Sequence, residues 1–258
     1  MQIFQDIYNY RELLKSNIKK DIRGKYKGSF LGILWSFLNP LLQVLVYYIV
    51  FPYLMRGASI PNYIVYLVTG IIPWTFFSTV ITSGTKAIIM NEGIVKKVYF
   101  PREILVISQV ISGLINFFIS CIIVLFFCLI FKVGISIHVI IVPIIALIQS
   151  ILSLGIVFIL SSVEVYIQDL EYIVTFIINM LFYGTQILYP VTLFPEGLRF
   201  LLYLNPFTHI VTAYRDIFMY HTLPNIYSLL YVLIIAIICF VLGMVIFRKL
   251  EKGFAEEI

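Results

Sequence analysis

Long apolar runs broken by short polar segments dominate the chain. Stretches free of Asp, Glu, Lys and Arg, or nearly so, cover Gly28 to Met55, Gly57 to Thr85, Ile104 to Phe131, Val133 to Val163, Tyr172 to Pro195 and Ile217 to Phe247. Each is long enough to supply the about 20 apolar residues that cross the hydrocarbon core of a bilayer. The pattern predicts an all-α integral membrane protein with six transmembrane helices, and residues 1–258 read as a single transmembrane domain. The connections Arg56 to Asn62 and Lys132 to His138 are tight, so the helices they join run antiparallel.

Two segments carry a different pattern. In residues 1–23, Ile3, Ile7, Tyr10, Leu14, Ile18 and Ile22 recur every three or four positions while charges fill the rest, which predicts an amphipathic helix at the cytoplasmic membrane surface. No early apolar stretch precedes a small-residue cleavage site, so the segment reads as retained. In residues 190–224, Pro195 with Glu196, and Asn205 as an N-cap with Pro206 after it, signal two short helices, about 195–203 and 206–220. The first is too short to cross and the second is interrupted by Arg215 and Asp216. Together they predict a re-entrant or interfacial hairpin between spans five and six on the outer side, able to cap an exit.

Composition agrees with the pattern. Of 258 residues, 61% are hydrophobic and 12% charged, against about 25% charged in soluble domains. The excess of 18 Lys and Arg over 13 Asp and Glu reports orientation rather than affinity for nucleic acid, and no nucleic-acid partner is expected. Arg11, Lys15, Lys19, Lys20, Arg23, Lys25, Lys27, Lys86, Lys96, Lys97, Arg102, Arg248, Lys249 and Lys252 fall on one side, and Arg56, Lys132, Arg199 and Arg215 on the other. By the positive-inside rule both termini are cytoplasmic.

Candidate chemistry is sparse. Cys121, Cys128 and Cys239 lie inside apolar runs and form no disulfide framework, while His138, His209 and His221 are scattered. Gly24-Lys25 is followed by Tyr26 and lacks the rest of a phosphate loop. No metal, cofactor or enzyme activity is expected of the chain itself. Glu164, Asp169 and Glu171 gather at a cytoplasmic loop rather than within a span, where an ion-coupled carrier keeps its charges, so energy is expected from a partner. The segment Met90 to Glu103 offers that partner a handle: Lys96 and Lys97, the aromatics Tyr99 and Phe100, and Pro101 fixing the return into the third span. It predicts a short amphipathic helix projecting from the bilayer; a plain positive-inside anchor is the other reading.

KYKGSFLGILWSFLNPLL (Lys25 to Leu42), Phe100-Pro101-Arg102-Glu103, LFPEGLRFLLYLNPF (Leu193 to Phe207) and AYRDI (Ala213 to Ile217) stand in order along essentially the whole chain. In these motifs the chain resembles the permease subunit of type-2 ABC exporters of lipid-linked polysaccharide, the O-antigen and teichoic-acid export family. It departs from the family's habit of a basic residue before the Asp of the fourth loop, where it has Gln168, and of a proline after Thr185, where it has Gln186. The resemblance implies a homodimer in the cytoplasmic (inner) membrane with two copies of an ABC ATPase, which bind ATP and Mg. The cargo it implies is an undecaprenyl-diphosphate-linked glycan moved outward. It makes residues 1–22 and 90–103, including Lys96, Lys97, Tyr99, Phe100, Pro101, Arg102 and Glu103, the elements that contact the ATPase. It makes the hairpin, with Pro195, Asn205, Pro206, Arg215 and Asp216, an outer gate.

A lipid diphosphate sits at headgroup depth, where Lys20, Arg23, Lys25 and Lys27 are candidates to receive it at the rim of the first span; anchoring to anionic membrane lipid is their other role. Tyr47, Tyr48, Phe51, Trp74, Phe77, Phe182, Tyr183 and Tyr189 fall in the outer halves of spans one, two and five. They line a glycan channel or form the interfacial aromatic belt of membrane proteins. The alternatives are a small-molecule or drug exporter of the same type, an ATP-independent channel or carrier, and a membrane-embedded glycan- or lipid-modifying enzyme. The last would show an intramembrane pairing of His with Asp or Glu, which the sequence lacks.

Overall fold

The computed structural model describes residues 8–24, 35–54 and 60–257. Lys25, Lys27, Arg56 and the start of the expected surface helix lie outside the described residues. Helices α1 (Arg11–Gly24), α2 (Trp35–Leu54), α3 (Tyr63–Thr85), α4 (Glu92–Val95), α5 (Glu103–Ile130), α6 (Val142–Glu164), α7 (Leu170–Tyr183), α8 (Arg199–Leu204), α9 (Pro206–Phe218), α10 (Ile226–Leu250) and α11 (Phe254–Glu257) follow in order, with short 3₁₀ turns between them. No strand occurs among the described residues.

Among the described residues, four stretches are long and apolar enough to cross a membrane: Tyr63–Thr85, with 23 residues, and Glu103–Ile130, Ile137–Glu164 and Ile226–Gly253, with 28 each. At 1.5 Å per residue they are about 35 to 42 Å long. Helix α2 counts 20 residues, and the fifth apolar run gives the shorter helix Leu170–Tyr183. Helix α7 has 14 residues, about 21 Å, and ends well before the expected Pro195. Gly184 closes it, and the chain then runs non-helically to an extended Pro190, whose ring disfavours helical geometry at the residue before it.

Helix α3 is the centre of the fold. It packs against α2, α5, α6, α7 and α9, and its buried residues Val65, Leu67, Ile71, Phe76, Val80 and Ile81 point to every side, as a helix enclosed by others requires. Helices α6 and α10 approach closely because both carry glycine at the contact. A Cβ on Gly243 would stand 2.3 Å from the Gly155 carbonyl oxygen, and one on Gly155 would stand 2.4 Å from the Phe240 nitrogen. Small residues bring membrane helices backbone to backbone in this way.

Helix α1 packs on α5. The apolar positions Tyr10, Leu14 and Ile18 lie on the packed side, as the periodicity predicts, but so does Asn17, which is only 6% exposed. Between α5 and α6, Lys132 (φ 56°) and Gly134 (φ 88°) take the left-handed backbone that closes the tight connection.

Candidate functional site

The segment Met90 to Glu103 is more firmly held than a projecting helix would be. Residues 89–91 form one 3₁₀ turn and α4 adds a single turn; residues 98–100 are non-helical, and Pro101 disfavours helical geometry at Phe100. The expected amphipathic helix over Met90 to Glu103 is therefore reduced to these turns and an extended stretch. Val95 and Phe100 are buried anchors, while Met90, Val98 and Tyr99 are exposed, Tyr99 at 96%. Arg102 Nη1 donates to the Glu251 carbonyl and its guanidinium lies over the Phe254 ring, centroid distance 5.8 Å. Glu103, itself buried, pairs with Arg248 at 3.7 Å. Arg102 and Glu103 thus bind the loop to the chain's own C-terminal end, Phe100 is buried, and Lys96, Lys97 and Tyr99 are left exposed.

Helix α1 joins the same region. Lys20 Nζ donates to Asn91 Oδ1 at 2.9 Å, and Arg23 is exposed. Ser112 Oγ lies 3.5 Å from the Asp21 carboxylate, and burial raises the Asp21 pKa above its ordinary 3.8, an effect that Lys20 and the neighbouring polar groups oppose. At the start of α7, Glu171 pairs with Lys86 at the end of α3.

On the other side Arg215 holds the non-helical stretch after α7. The residue is 3% exposed and meets no carboxylate among the described residues. Its guanidinium donates to the carbonyls of Gln186 (2.6 Å), Ile187 (2.9 Å) and Tyr66 (3.3 Å) and lies 3.4 Å from the centroid of the Tyr66 ring. The Tyr66 hydroxyl donates to the Tyr189 carbonyl at 2.8 Å, and that of Tyr63 to Leu188 at 2.9 Å. Gly70 leaves the room: a Cβ there would stand 2.9 Å from Arg215 Nη2. Gln186 donates through Nε2 to Thr212 Oγ1 and, at 3.1 Å, to the Thr208 carbonyl. Asn205 caps α9 by accepting from the Phe207 N–H at 2.9 Å, with Pro206 in the first turn, and its Nδ2 donates to Thr185 Oγ1 at 2.9 Å. Short helical turns follow Pro195, and Arg199 donates to the Phe194 carbonyl. Asp216 takes no part in the Arg215 cradle. A second bridge crosses the core where Gln149 donates to the Pro73 carbonyl (2.9 Å) and accepts from the Tyr214 hydroxyl (3.1 Å).

The expected aromatics separate by environment. Trp74, Phe77 and Phe182 are buried inside the chain's own core, a correction to their placement on a lumen or lipid face. The three-residue step from Trp74 to Phe77 turns both rings onto Phe207, at centroid distances of 5.1 and 4.8 Å. Tyr47 bridges outward by stacking on Phe182 and meeting Phe51 edge-on, each at 5.7 Å. Tyr48 and Tyr183 are exposed, and Tyr189 stacks on Phe194 at 5.3 Å. Sequence reasoning missed Tyr66, Gly70, Gln149 and Phe207. A glycine and a lone amide within apolar spans were the available signals for two of them.

The described residues combine a buried charged side chain, a loop bound to its own scaffold and several helices long and apolar enough to cross a membrane. The ABC-2 type transporter family matches residues 12–219. The chain is 35% identical over 260 residues to the O-antigen export system permease protein RfbA of Myxococcus xanthus, covering 100% of both chains. It is 36% identical over 247 residues to the permease of that name from Klebsiella pneumoniae, covering 95% of this chain and 94% of the relative. The polysialic acid transport protein KpsM of Escherichia coli is 23% identical over 239 residues, 91% of this chain and 92% of its own. A match over most of the length, and relatives alike from end to end, make the chain a member of the ABC-2 type transporter family.

Proposed function

We propose that the chain is the membrane-spanning permease subunit of an ATP-driven exporter of undecaprenyl-diphosphate-linked polysaccharide. The observation that carries this reading is the end-to-end similarity to an O-antigen export permease, 35% over 260 residues. Helices α2, α3, α5, α6, α7 and α10 are the six spans, both termini are cytoplasmic, and two copies of the chain work with two ATPase subunits that bind ATP and Mg. The short α7 fits a span completed by residues 184–189, because Arg215, Tyr66 and Tyr63 supply donors to the carbonyls of that stretch. Non-helical backbone at membrane depth requires such partners, and this favours a re-entrant outer hairpin in α8 and α9 acting as the gate.

Export begins where Lys20 and Arg23, with Lys25 and Lys27, meet the diphosphate through charge-assisted hydrogen bonds. The ATPase docks on the exposed surface of Lys96, Lys97, Val98 and Tyr99. Its closure pulls on a loop that Phe100, Arg102 and Glu103 tie to α5 and α10, so the movement passes as a rigid body into the helices. Tyr48 and Tyr183, with Tyr47, Phe51 and Tyr189 beside them, present ring faces to the passing glycan. Trp74, Phe77 and Phe182 support those rings from behind.

A mild-detergent pull-down of the tagged chain from native membranes, with mass spectrometry of proteins and lipid, tests the reading. An ABC ATPase in equal ratio together with a polyprenyl-diphosphate glycan is the expected result. A chain that is recovered alone and moves solute in vesicles without ATP overturns it.

A further inference from the structure

Two adjoining cavities of about 410 and 380 Å³ lie between α1, α2, α3 and α5 and share Thr79, Gly113 and Asn116. Their volumes fall in the ~300–1,000 Å³ range of small-ligand sites. The first cavity includes Lys20, Asp21, Gln109 and Ser112, and the second reaches Trp35, Asn39 and Ser120. Thr79 stands six residues from the end of α3 and Asn116 thirteen from the start of α5, about 9 and 20 Å along their helices. The track therefore runs from the Lys20 end inward toward mid-membrane.

Its lining is unusual for that depth. Amide, carboxylate and hydroxyl groups in the hydrocarbon layer are unfavourable unless something hydrogen-bonds them. The described residues do this only in part: Asn116 Nδ2 donates to the Ser112 carbonyl at 3.0 Å, but Asn116 Oδ1 has no partner among the described residues. Lys20 spends one of its three donors on Asn91. An acyl chain offers these groups nothing. A sugar does, because each hydroxyl both donates and accepts, matching an amide or a carboxylate flanked by donors, and its C–H face suits the aromatic wall of Trp35.

We propose that this track is a subsite for the first sugar of the lipid-linked cargo, held by Asp21, Gln109, Ser112 and Asn116 while Lys20 at its mouth takes the adjoining diphosphate. The order of groups in the cavity, cation first and hydroxyl-binding side chains inward, is the order of diphosphate and sugar in such a lipid. The inference rests on the export reading above. It adds that the permease itself distinguishes a sugar-bearing lipid from a bare one before transport.

The test is equilibrium binding to the full chain in lipid nanodiscs. One probe is the sugar-bearing polyprenyl-diphosphate pool extracted from the host's membranes, and the other is sugar-free undecaprenyl diphosphate. The wild type is expected to bind the sugar-bearing pool more tightly. Gln109→Leu and Asn116→Leu should each weaken that binding by about three- to tenfold, as loss of a neutral hydrogen bond predicts, and leave sugar-free binding unchanged. Thr79→Phe, which removes no bond to the proposed sugar but fills the waist shared by the two cavities, should abolish the preference. It also guards against misreading a folding defect, since its sugar-free binding is retained. Equal binding of both probes by the wild type, or equal weakening of both by the variants, overturns the subsite and leaves the export reading standing. Failure of the wild type to bind either probe overturns the export reading and the subsite with it.

Discussion

Arg215 shows how one side chain can hold together backbone that has no helix to satisfy it. Its fork of donors reaches carbonyls on two elements, Gln186 and Ile187 after α7 and Tyr66 in α3. Removing the donors leaves the Ile187 carbonyl without a hydrogen bond among the described residues, while those of Gln186 and Tyr66 keep only the Tyr66 hydroxyl (3.2 Å) and Thr69 Oγ1 (3.1 Å) as side-chain donors; a buried group left unsatisfied costs about 1–3 kcal/mol. Arg215→Met, close in volume, should therefore lower the apparent melting temperature in detergent by about 5 to 10 °C. Arg215→Lys should recover only part of the loss, since a point-like ammonium cannot match a planar fork. Thermal scans of the three proteins side by side decide the matter, and an Arg215→Met melting curve superimposed on the wild type would show that the cradle holds nothing. Asp21 supports a prediction of the opposite character. Burial raises its pKa, so the folded chain binds that proton more tightly than the unfolded chain does. The penalty of the buried carboxylate is thus present at neutral pH and relieved as pH falls through the raised value. Asp21→Asn should slow hydrogen exchange of the α1 amides at neutral pH and flatten their pH response; exchange unchanged by the substitution would remove Asp21 as the cause.

At the scale of elements, the contact of α6 with α10 and the loop over residues 90–103 respond to different forces. The first depends on the absence of side chains: alanine at Gly243 would place a methyl group 2.3 Å from the Gly155 carbonyl oxygen, and backbone cannot move aside as a flexible side chain does. Overpacking of this kind destabilises by about 1–3 kcal/mol. Gly243→Ala should reduce the folded yield and melting temperature, whereas Gly93→Ala, with nothing within 4 Å of its Cβ, should leave both alone; comparable losses in the two would refute the close-contact account. The loop depends on exposed charge and one exposed ring. Reversing Lys96 and Lys97 to Glu, or replacing Tyr99 by Ala, should weaken ATPase binding by at least about tenfold, the scale of an interface anchor, without altering the fold. Co-purification yield and export-linked ATP hydrolysis measure it, and full coupling in both variants would move the docking surface elsewhere.

At the scale of the whole molecule, the proposed topology places Tyr99 and Leu223 on opposite sides of the membrane. Both are exposed, at 96% and 66%. In a background lacking the native cysteines, Leu223→Cys should react with a membrane-impermeant thiol reagent from outside, and Tyr99→Cys only after permeabilisation. Labelling of both from one side would require an even number of crossings between them and would overturn the three that this topology places there. The same view explains why the spans were not all equally legible. The runs that became α5, α6 and α10 are long and uninterrupted, and their length in sequence carried over to length in space. The fifth run is equally apolar to Pro195 but is helical only to Tyr183, because apolarity reports burial and not backbone geometry.

The sequence by itself determined the membrane class, the helical content, the amphipathic character of residues 11–24 and the family, since each depends on local periodicity or on motifs contiguous in the chain. Asn205 and Pro206 belong here too, because a cap and a first-turn proline act within one turn of each other. Arg215 was visible as a charge interrupting an apolar run, but not its partners, which lie 28, 29 and 149 positions away. Only the tertiary structure decided that Trp74, Phe77 and Phe182 are core, that Phe100 and Arg102 hold the loop rather than extend from it, and that Asp21, Gln109 and Asn116 share one cavity. The physical reason is common to all three: a side chain's role at membrane depth is set by what satisfies or covers it, and those neighbours are brought together by packing between helices remote in sequence.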